Sequence, residues 1–274
     1  MKLLNIDANA KTVKGQKKGY MTAVLYLLPY TSSGLTNLCP FAKEAGCWET
    51  CLNTAGRGGI GKREFAPGGI ALPDNTIQRA RYNRTELWVK DRTAFFQQLY
   101  KEISAFRKKA DRKGLIPVVR LNGTSDIQWE RERDWGGMTV FERFPDLQFY
   151  DYTKIPKRLG TLLPSNYYLC LSYSAKSGKY ARACWELARQ ADDPASLVLV
   201  AKDEETKRRL MRFYEYNLGY PVVDGDEHDL RFTDPEGAFV FLKAKGSAKK
   251  ETNGFVLGIR EVIHDEHLRS RPLA

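Results

Sequence analysis

The sequence predicts an α/β fold, a partial (β/α) barrel of about six parallel strands with a small antiparallel addition at the C-terminus. Three observations lead there. Apolar and β-branched runs alternate with longer amphipathic ones through most of the 274 residues, the order that gives parallel pairing with right-handed crossovers. Polar and charged residues gather just after the strand-like runs, where an α/β sheet carries its site. From Asp229 onwards the pattern changes to short strand-like runs joined by turns.

The first 20 or so residues are polar and Lys-rich and read as an irregular lead-in. Strands are expected at Met21–Tyr30, Pro117–Leu121, Leu147–Tyr152, Tyr167–Tyr173, Leu197–Ala201 and Val222–Asp224. Helices are expected at Asn75–Arg81, Arg92–Lys113, Lys179–Gln190 and Asp203–Leu218, with shorter pieces at Trp129–Arg133 and Ile155–Leu163. The second of these has the clearest basis. Phe95, Phe96, Leu99, Ile103 and Phe106 make one stripe at helical spacing, and Gly114 follows as a stop. Asp203-Glu-Glu and Lys207-Arg-Arg complement the dipole of the last helix, which Gly219-Tyr-Pro221 ends. In the tail, Leu230–Phe232, Ala238–Leu242 and Gly254–Leu257 read as antiparallel strands. The expected organisation is a barrel domain over 1–228, with a cysteine loop at 38–52, and an extension over 229–274 packed on it.

No apolar run is long enough for a transmembrane helix and the N-terminus lacks a signal-peptide core, so a cytoplasmic protein is expected. The net charge of +11 and pI near 9.3 favour nucleic acid or another polyanion as partner. Basic residues cluster modestly at Lys11–Lys18, Arg107–Lys113, Lys207–Arg212 and Lys243–Lys250.

Cys39, Cys47 and Cys51 stand close together after the first strand, at spacing C-x7-C-x3-C. Pro40, Gly46 and flanking charges make this poor material for a core segment. Three thiolates on one loop point to an iron–sulfur cluster with one open iron position, to zinc with a fourth protein ligand, or to no metal at all. Cys170 is the natural fourth candidate, though a core role suits it, and Cys184 reads as core beside Trp185. Gly56-Arg-Gly-Gly-Ile-Gly-Lys62 has the glycines of a phosphate loop, but Arg63 replaces the Ser or Thr that would hold magnesium. It reads as a Gly-rich connector or an anion-binding turn using Arg57 or Lys62. The acidic run Val222–Leu230, which contains His228, suits substrate contact or a turn; His264 and His267 read as solvated tail residues.

The cysteines, with Leu52-Asn-Thr-Ala-Gly-Arg-Gly58, Arg120-Leu-Asn-Gly-Thr-Ser-Asp-Ile127, Phe149-Tyr-Asp-Tyr-Thr-Lys154 and Val223-Asp-Gly-Asp226, resemble the bacteriophage gene-product-88 domain family over roughly residues 20 to 258. That resemblance implies a phage-encoded protein in the host cytoplasm. The architecture is similar to radical S-adenosylmethionine enzymes, which hold a [4Fe–4S] cluster on three cysteines after the first strand. This similarity implies Cys39, Cys47 and Cys51 as metal ligands and S-adenosylmethionine as a cofactor. The usual loop is C-x3-C-x2-C, and Asn122-Gly-Thr-Ser-Asp126 stands where a Gly-Gly-Glu segment would be.

The expected site lies at the strand ends. Asn122, Asp126, Asp151, Lys154, Lys202 and Asp224 are the catalytic candidates, and Ser125, Ser172 and Ser174 the cofactor-binding ones. The expected function is that of an iron–sulfur, radical S-adenosylmethionine-like enzyme acting on a small-molecule or nucleotide substrate. The alternative is a non-catalytic, metal-stapled protein that binds nucleic acid through its basic surface.

Overall fold

A computed structural model describes residues 1–7, 9–60, 63–65, 71–73, 75–190 and 192–258. Its centre is one mixed, mostly parallel sheet in the order β1-β2-β5-β6-β7-β8-β10-β9, with β11 also pairing β8. The strands are β1 (Leu4–Ile6), β2 (Tyr20–Leu25), β5 (Ile116–Arg120), β6 (Gln148–Thr153), β7 (Tyr167–Ser172), β8 (Leu197–Ala201), β9 (Val222–Asp224), β10 (Phe239–Lys243) and β11 (Val256–Leu257). A separate antiparallel hairpin is formed by β3 (Arg63–Phe65) and β4 (Ala71–Pro73). β1 pairs antiparallel with β2, and the other pairings in the main sheet are parallel.

The sheet is open, with β1 and β9 at its two edges, rather than a six-stranded barrel. The expected antiparallel addition is also absent among the described residues. Leu230–Phe232 does not form a strand, since Arg231–Thr233 is a 3-10 turn. β10 enters between β8 and β9 and runs parallel to both, and β11 runs parallel to the end of β8. The reason lies in the crossover. After β9 the chain crosses the second face of the sheet through residues 225–237, burying Leu230 against Gly15 and setting Phe232 on Tyr20 and Tyr150. A chain returned to its starting end can only add a parallel strand.

The first face carries the main core. Met21, Ala23 and Leu25 of β2, Val119 and Phe149 pack under α3 (Arg92–Asp111), whose stripe Phe95, Phe96, Leu99, Ile103 and Phe106 is fully inside. Each such side chain contributes about 1.5–3 kcal/mol. Asp91 caps this helix by accepting from the Ala94 N–H at 2.8 Å, and Gly114 with φ of 64° ends it. Further along, Leu171, Leu197, Leu199, Phe239 and Phe241 pack on α5 (Gly178–Ala188) and α6 (Glu204–Arg212). α6 passes into a π turn, Phe213–Asn217, that brings Tyr214 onto Phe239 and Phe241. The second face is covered by α1 (Ala10–Gly15) and residues 225–234 over Val118, Tyr150 and Tyr168.

Two expected elements differ in extent. α2 runs over Thr76–Lys90, well beyond Arg81, and Arg84 and Thr85 are buried in it. Arg84 donates to the Lys2 carbonyl at 2.8 Å and Thr85 accepts from the Leu28 N–H at 2.9 Å, so tertiary partners replace an apolar stripe. The first long strand ends at Leu25, and beyond it the Leu28 N–H turns to Thr85 Oγ1 and Pro29 has no N–H to offer a ladder. Neither expected short helix is α-helical, since Pro156–Arg158 is a 3-10 turn and Trp129–Arg133 forms turns, while a four-residue helix that the sequence did not announce, α4, spans Val140–Arg143.

Candidate functional site at the carboxyl ends of the strands

The loops after β2, β5, β6 and β7 meet over the first core. Asn122 organises the β5 loop from within. Its Oδ1 accepts from Ser125 Oγ at 2.9 Å, the Ile127 N–H at 2.9 Å and Trp129 Nε1 at 3.2 Å. Asp126 then ties this loop to the next strand. It accepts from Thr153 Oγ1 at 2.8 Å, the Lys154 N–H at 2.7 Å and Arg158 Nη1 at 2.9 Å. Burial pushes the Asp126 carboxyl up, and Arg158 with these hydrogen bonds opposes that. Asp151 is fully buried, accepts from the Asn122 N–H at 2.7 Å and from the Tyr167 hydroxyl at 3.1 Å, and is pushed up to about 7 by burial.

Arg158 is the hub of this group. Its guanidinium holds Glu130 through two bonds of 2.9 and 2.7 Å and donates to the Tyr167 hydroxyl at 2.9 Å. On the opposite face of the sheet, Arg120 pairs with Asp229 at 3.0 Å, and Tyr152 donates to Asp229 at 2.7 Å. Asp229 is held below the usual range by Arg120 in spite of burial.

The structure thus brings Asn122, Ser125, Asp126, Asp151 and Lys154 together, and Ser172 joins through its carbonyl, which accepts from Lys154 Nζ at 2.9 Å. Most of their polar atoms are spent on one another. Ser174 latches a second junction, donating to the Gly254 carbonyl at 3.3 Å and accepting from the Lys176 N–H at 3.2 Å. Asp224 stands apart in a charged group with Lys207 at 2.8 Å, and Lys202 is exposed. Arg158, Glu130 and Tyr167 were not legible as site residues, because no spacing marks a side chain that crosses from one loop to the next.

The cysteines fare differently from the expectation. Among the described residues no group of three or more His, Cys, Asp or Glu is placed to hold a metal ion. Each thiol has a local contact instead. Cys39 Sγ faces the Thr124 carbonyl at 3.8 Å, Cys47 Sγ the Ala42 carbonyl at 3.8 Å, and Cys51 Sγ accepts from the Asn53 N–H at 3.5 Å, capping a 3-10 turn. Burial pushes all three thiols up, Cys51 to about 11. These residues do not fit a [4Fe–4S] cluster or a zinc staple. The iron–sulfur and radical S-adenosylmethionine expectations are corrected accordingly, and S-adenosylmethionine loses the open iron that would have bound it. Cys170 and Cys184 are buried core residues.

The cysteine loop does have a close partner. Residues 246–255, ahead of β11, lie beside residues 46–55. Asn253 Nδ2 donates to the Gly46 carbonyl at 3.1 Å, and a Cβ placed on Gly246 would lie 3.5 Å from Ala55. Glycine is required at both ends of the contact. A Cβ on Gly46 (φ 73°) would meet Lys176 and Asn253 at 2.6 Å, and one on Gly254 (φ 94°) would meet the Lys176 backbone at 2.7 Å. Two segments far apart in sequence therefore share one surface, the second of them carrying Lys249 and Lys250. Arg57, Lys202, Lys249 and Lys250 are exposed and none makes a salt bridge among the described residues, although Lys202 helps to lower the carboxyl of its neighbour Asp203. Trp48, with 43% exposure, stands on the same loop with its ring centroid 6.1 Å from that of Tyr30. The acidic groups nearby are engaged, Glu49 with Lys176 and Glu204 with Lys207 and Lys243. A cleft of about 350 Å³ opens on the far side of the same loop, lined by Asn37, Pro40, Trp88, Arg92 and Arg131 among others.

The profile of the gene product 88 family matches residues 1–257. The chain belongs to the gene product 88 family. No curated protein and no solved structure matches it. Lys62, His264 and His267 lie outside the described residues. No helix among the described residues is long and apolar enough to cross a membrane.

Proposed function

We propose that this member of the gene product 88 family binds single-stranded nucleic acid across the carboxyl-end face of its sheet. The observation that carries this reading is the meeting of the cysteine loop with residues 246–255. It brings the segment of Lys249 and Lys250 against the loop that carries the exposed Trp48, with Arg57 just after that loop and Lys202 just after β8. Cations that track a phosphate backbone beside an aromatic platform that stacks bases are the two parts a sequence-tolerant single-strand site needs. The net charge of +11 adds a long-range attraction to any polyanion. The second basic concentration, Lys108, Lys109 and Arg112 at the end of α3, has no exposed aromatic ring of this kind on its own helix.

The cysteines serve this reading through the local contacts of their thiols, which shape the loop. Asn122, Asp126 and Arg158 underlie the face as a rigid floor. The test is fluorescence anisotropy with a labelled oligothymidine and a matched duplex over a series of salt concentrations. Single-strand affinity that exceeds duplex affinity and falls linearly on a log–log salt plot is expected. No binding at low salt, or binding indifferent to salt, would reject the proposal.

A further inference from the structure

A groove of about 480 Å³ runs between β1 and the C-terminal half of α3. Its walls are mostly apolar, Met1, Ile6 and Phe106 among them, and Lys2, Lys109 and Arg112 supply its cations. None of the three makes a salt bridge among the described residues. The one carboxylate of the groove, Glu102, is engaged. Its Oε1 accepts from the Leu3 N–H at 2.8 Å and from Gln98 Nε2 at 2.6 Å, and its Oε2 from the Leu4 N–H at 2.8 Å.

β1 is also an edge of the sheet. Just past it, the Asp7 N–H donates to the Thr22 carbonyl at 3.0 Å. Bonded and unbonded pairs alternate along an antiparallel ladder. Asn5 therefore shares the bonded pair with Val24, and Leu4 and Ile6 turn their backbone groups away from β2. Glu102 takes the Leu4 N–H on that side, so the open edge and the groove meet at this carboxylate. The Leu4 carbonyl and both backbone groups of Ile6 are left without a partner among the described residues.

We propose that this groove docks an acidic, apolar-containing segment of a partner protein as a further strand on β1. Its backbone would pair with Leu4 and Ile6, alternate side chains would lie on the apolar walls, and its carboxylates would meet the three cations. β1 spans three residues, so the added strand is short, about 10 Å long. A phosphate backbone would answer the cations and leave the apolar walls and the Leu4 carbonyl unanswered. A second copy joined through its own β1 would set the same three cations against themselves. Nothing in this docking requires nucleic acid.

The experiment is fluorescence anisotropy of the intact chain with a labelled peptide of alternating aspartate and isoleucine at low salt. Saturable binding is expected. A peptide with lysine in place of each aspartate should not bind, nor should the acidic peptide with every backbone nitrogen methylated, which keeps charge and side chains but cannot donate to a strand. Lys109→Gln with Arg112→Gln should weaken the acidic peptide about fivefold, as two exposed pairs do. Lys157→Gln with Lys179→Gln, exposed elsewhere, should not. No saturable binding, equal binding of the methylated or lysine peptide, or indifference to the Lys109 and Arg112 changes would overturn the proposal. Displacement of the peptide by oligothymidine would also overturn it and give the groove to nucleic acid. The peptide series is read on the wild-type chain, so a variant that fails to fold does not obscure it.

Discussion

Replacing Arg158 by Met should be among the most damaging single changes in the loop floor. The guanidinium is 1% exposed and donates four hydrogen bonds, one to Asp126, two to Glu130 and one to Tyr167. Methionine fills much of the volume and leaves two carboxylates enclosed without their cation. Breaking a buried pair in this way costs about 3–5 kcal/mol, far above an exposed pair, since the remaining charge stays desolvated. Asp126 keeps Thr153 Oγ1 and the Lys154 N–H, and Glu130 loses both of its Arg158 bonds, so Glu130 should carry the larger share. Equilibrium denaturation in urea reads the loss directly. Adding Glu130→Gln to Arg158→Met should recover part of it, because the second change removes an orphaned charge. Arg158→Lys should fall between, since an ammonium cannot fork across Glu130 and reach Asp126 together. A loss below about 1 kcal/mol for Arg158→Met would refute the reasoning, placing this triad in the class of surface pairs.

Other outcomes follow from the same geometry. Asp151 titrates near 7 in the folded chain, above its ordinary range, so the folded state holds a proton that the unfolded state has released. Its contribution to stability is complete below the ordinary carboxylate range and is lost as pH rises towards 7. Asp151→Asn should therefore gain stability relative to wild type between pH 4 and 7, which paired denaturation curves would show. His228, lowered to about 4 with burial as the leading cause, acts in the opposite sense, its stabilisation being lost as pH falls from the ordinary imidazole range through 4. Its Nδ1 accepts from the Leu230 N–H at 3.2 Å, so His228→Gln should flatten the acid limb of the pH–stability curve. Neutralising Arg57, Lys202, Lys249 and Lys250 together should lower the salt slope of oligothymidine binding by about 3, at about 0.7 per lost phosphate contact, with little change in urea midpoint. Trp48→Ala should weaken the same binding by about 1–3 kcal/mol without altering that slope, the mark of a stacking contact.

Strand and helix content was legible wherever burial follows a period. Leu197–Ala201 and Val222–Asp224 appear with the expected bounds, and the α3 stripe is buried as its spacing implies. α2 was seen only as far as Arg81, since Arg84 and Thr85 are buried by hydrogen bonds to Lys2 and Leu28 that no period announces. β10 and β11 were recognisable as strands but not as parallel ones, because direction is decided by the crossover over Tyr20 and Tyr150. At the site, the clustering of Asn122, Asp126, Asp151 and Lys154 followed from strand-end placement. What these residues do for one another did not, since Arg158 joins them from a segment with no pattern of its own. The three cysteines show the limit of proximity in sequence. Their loop is short, yet Thr124, Ala42 and Asn53 engage the thiols separately.

The measurement that tests the central claim most directly is lysine footprinting of the complex with oligothymidine. Amine acetylation of the free and the bound chain is compared residue by residue. Strong protection of Lys202, Lys249 and Lys250, with Lys108, Lys109 and Lys113 as reactive as in the free chain, is the predicted result. Protection confined to the end of α3, with the surface around Trp48 unchanged, would contradict it.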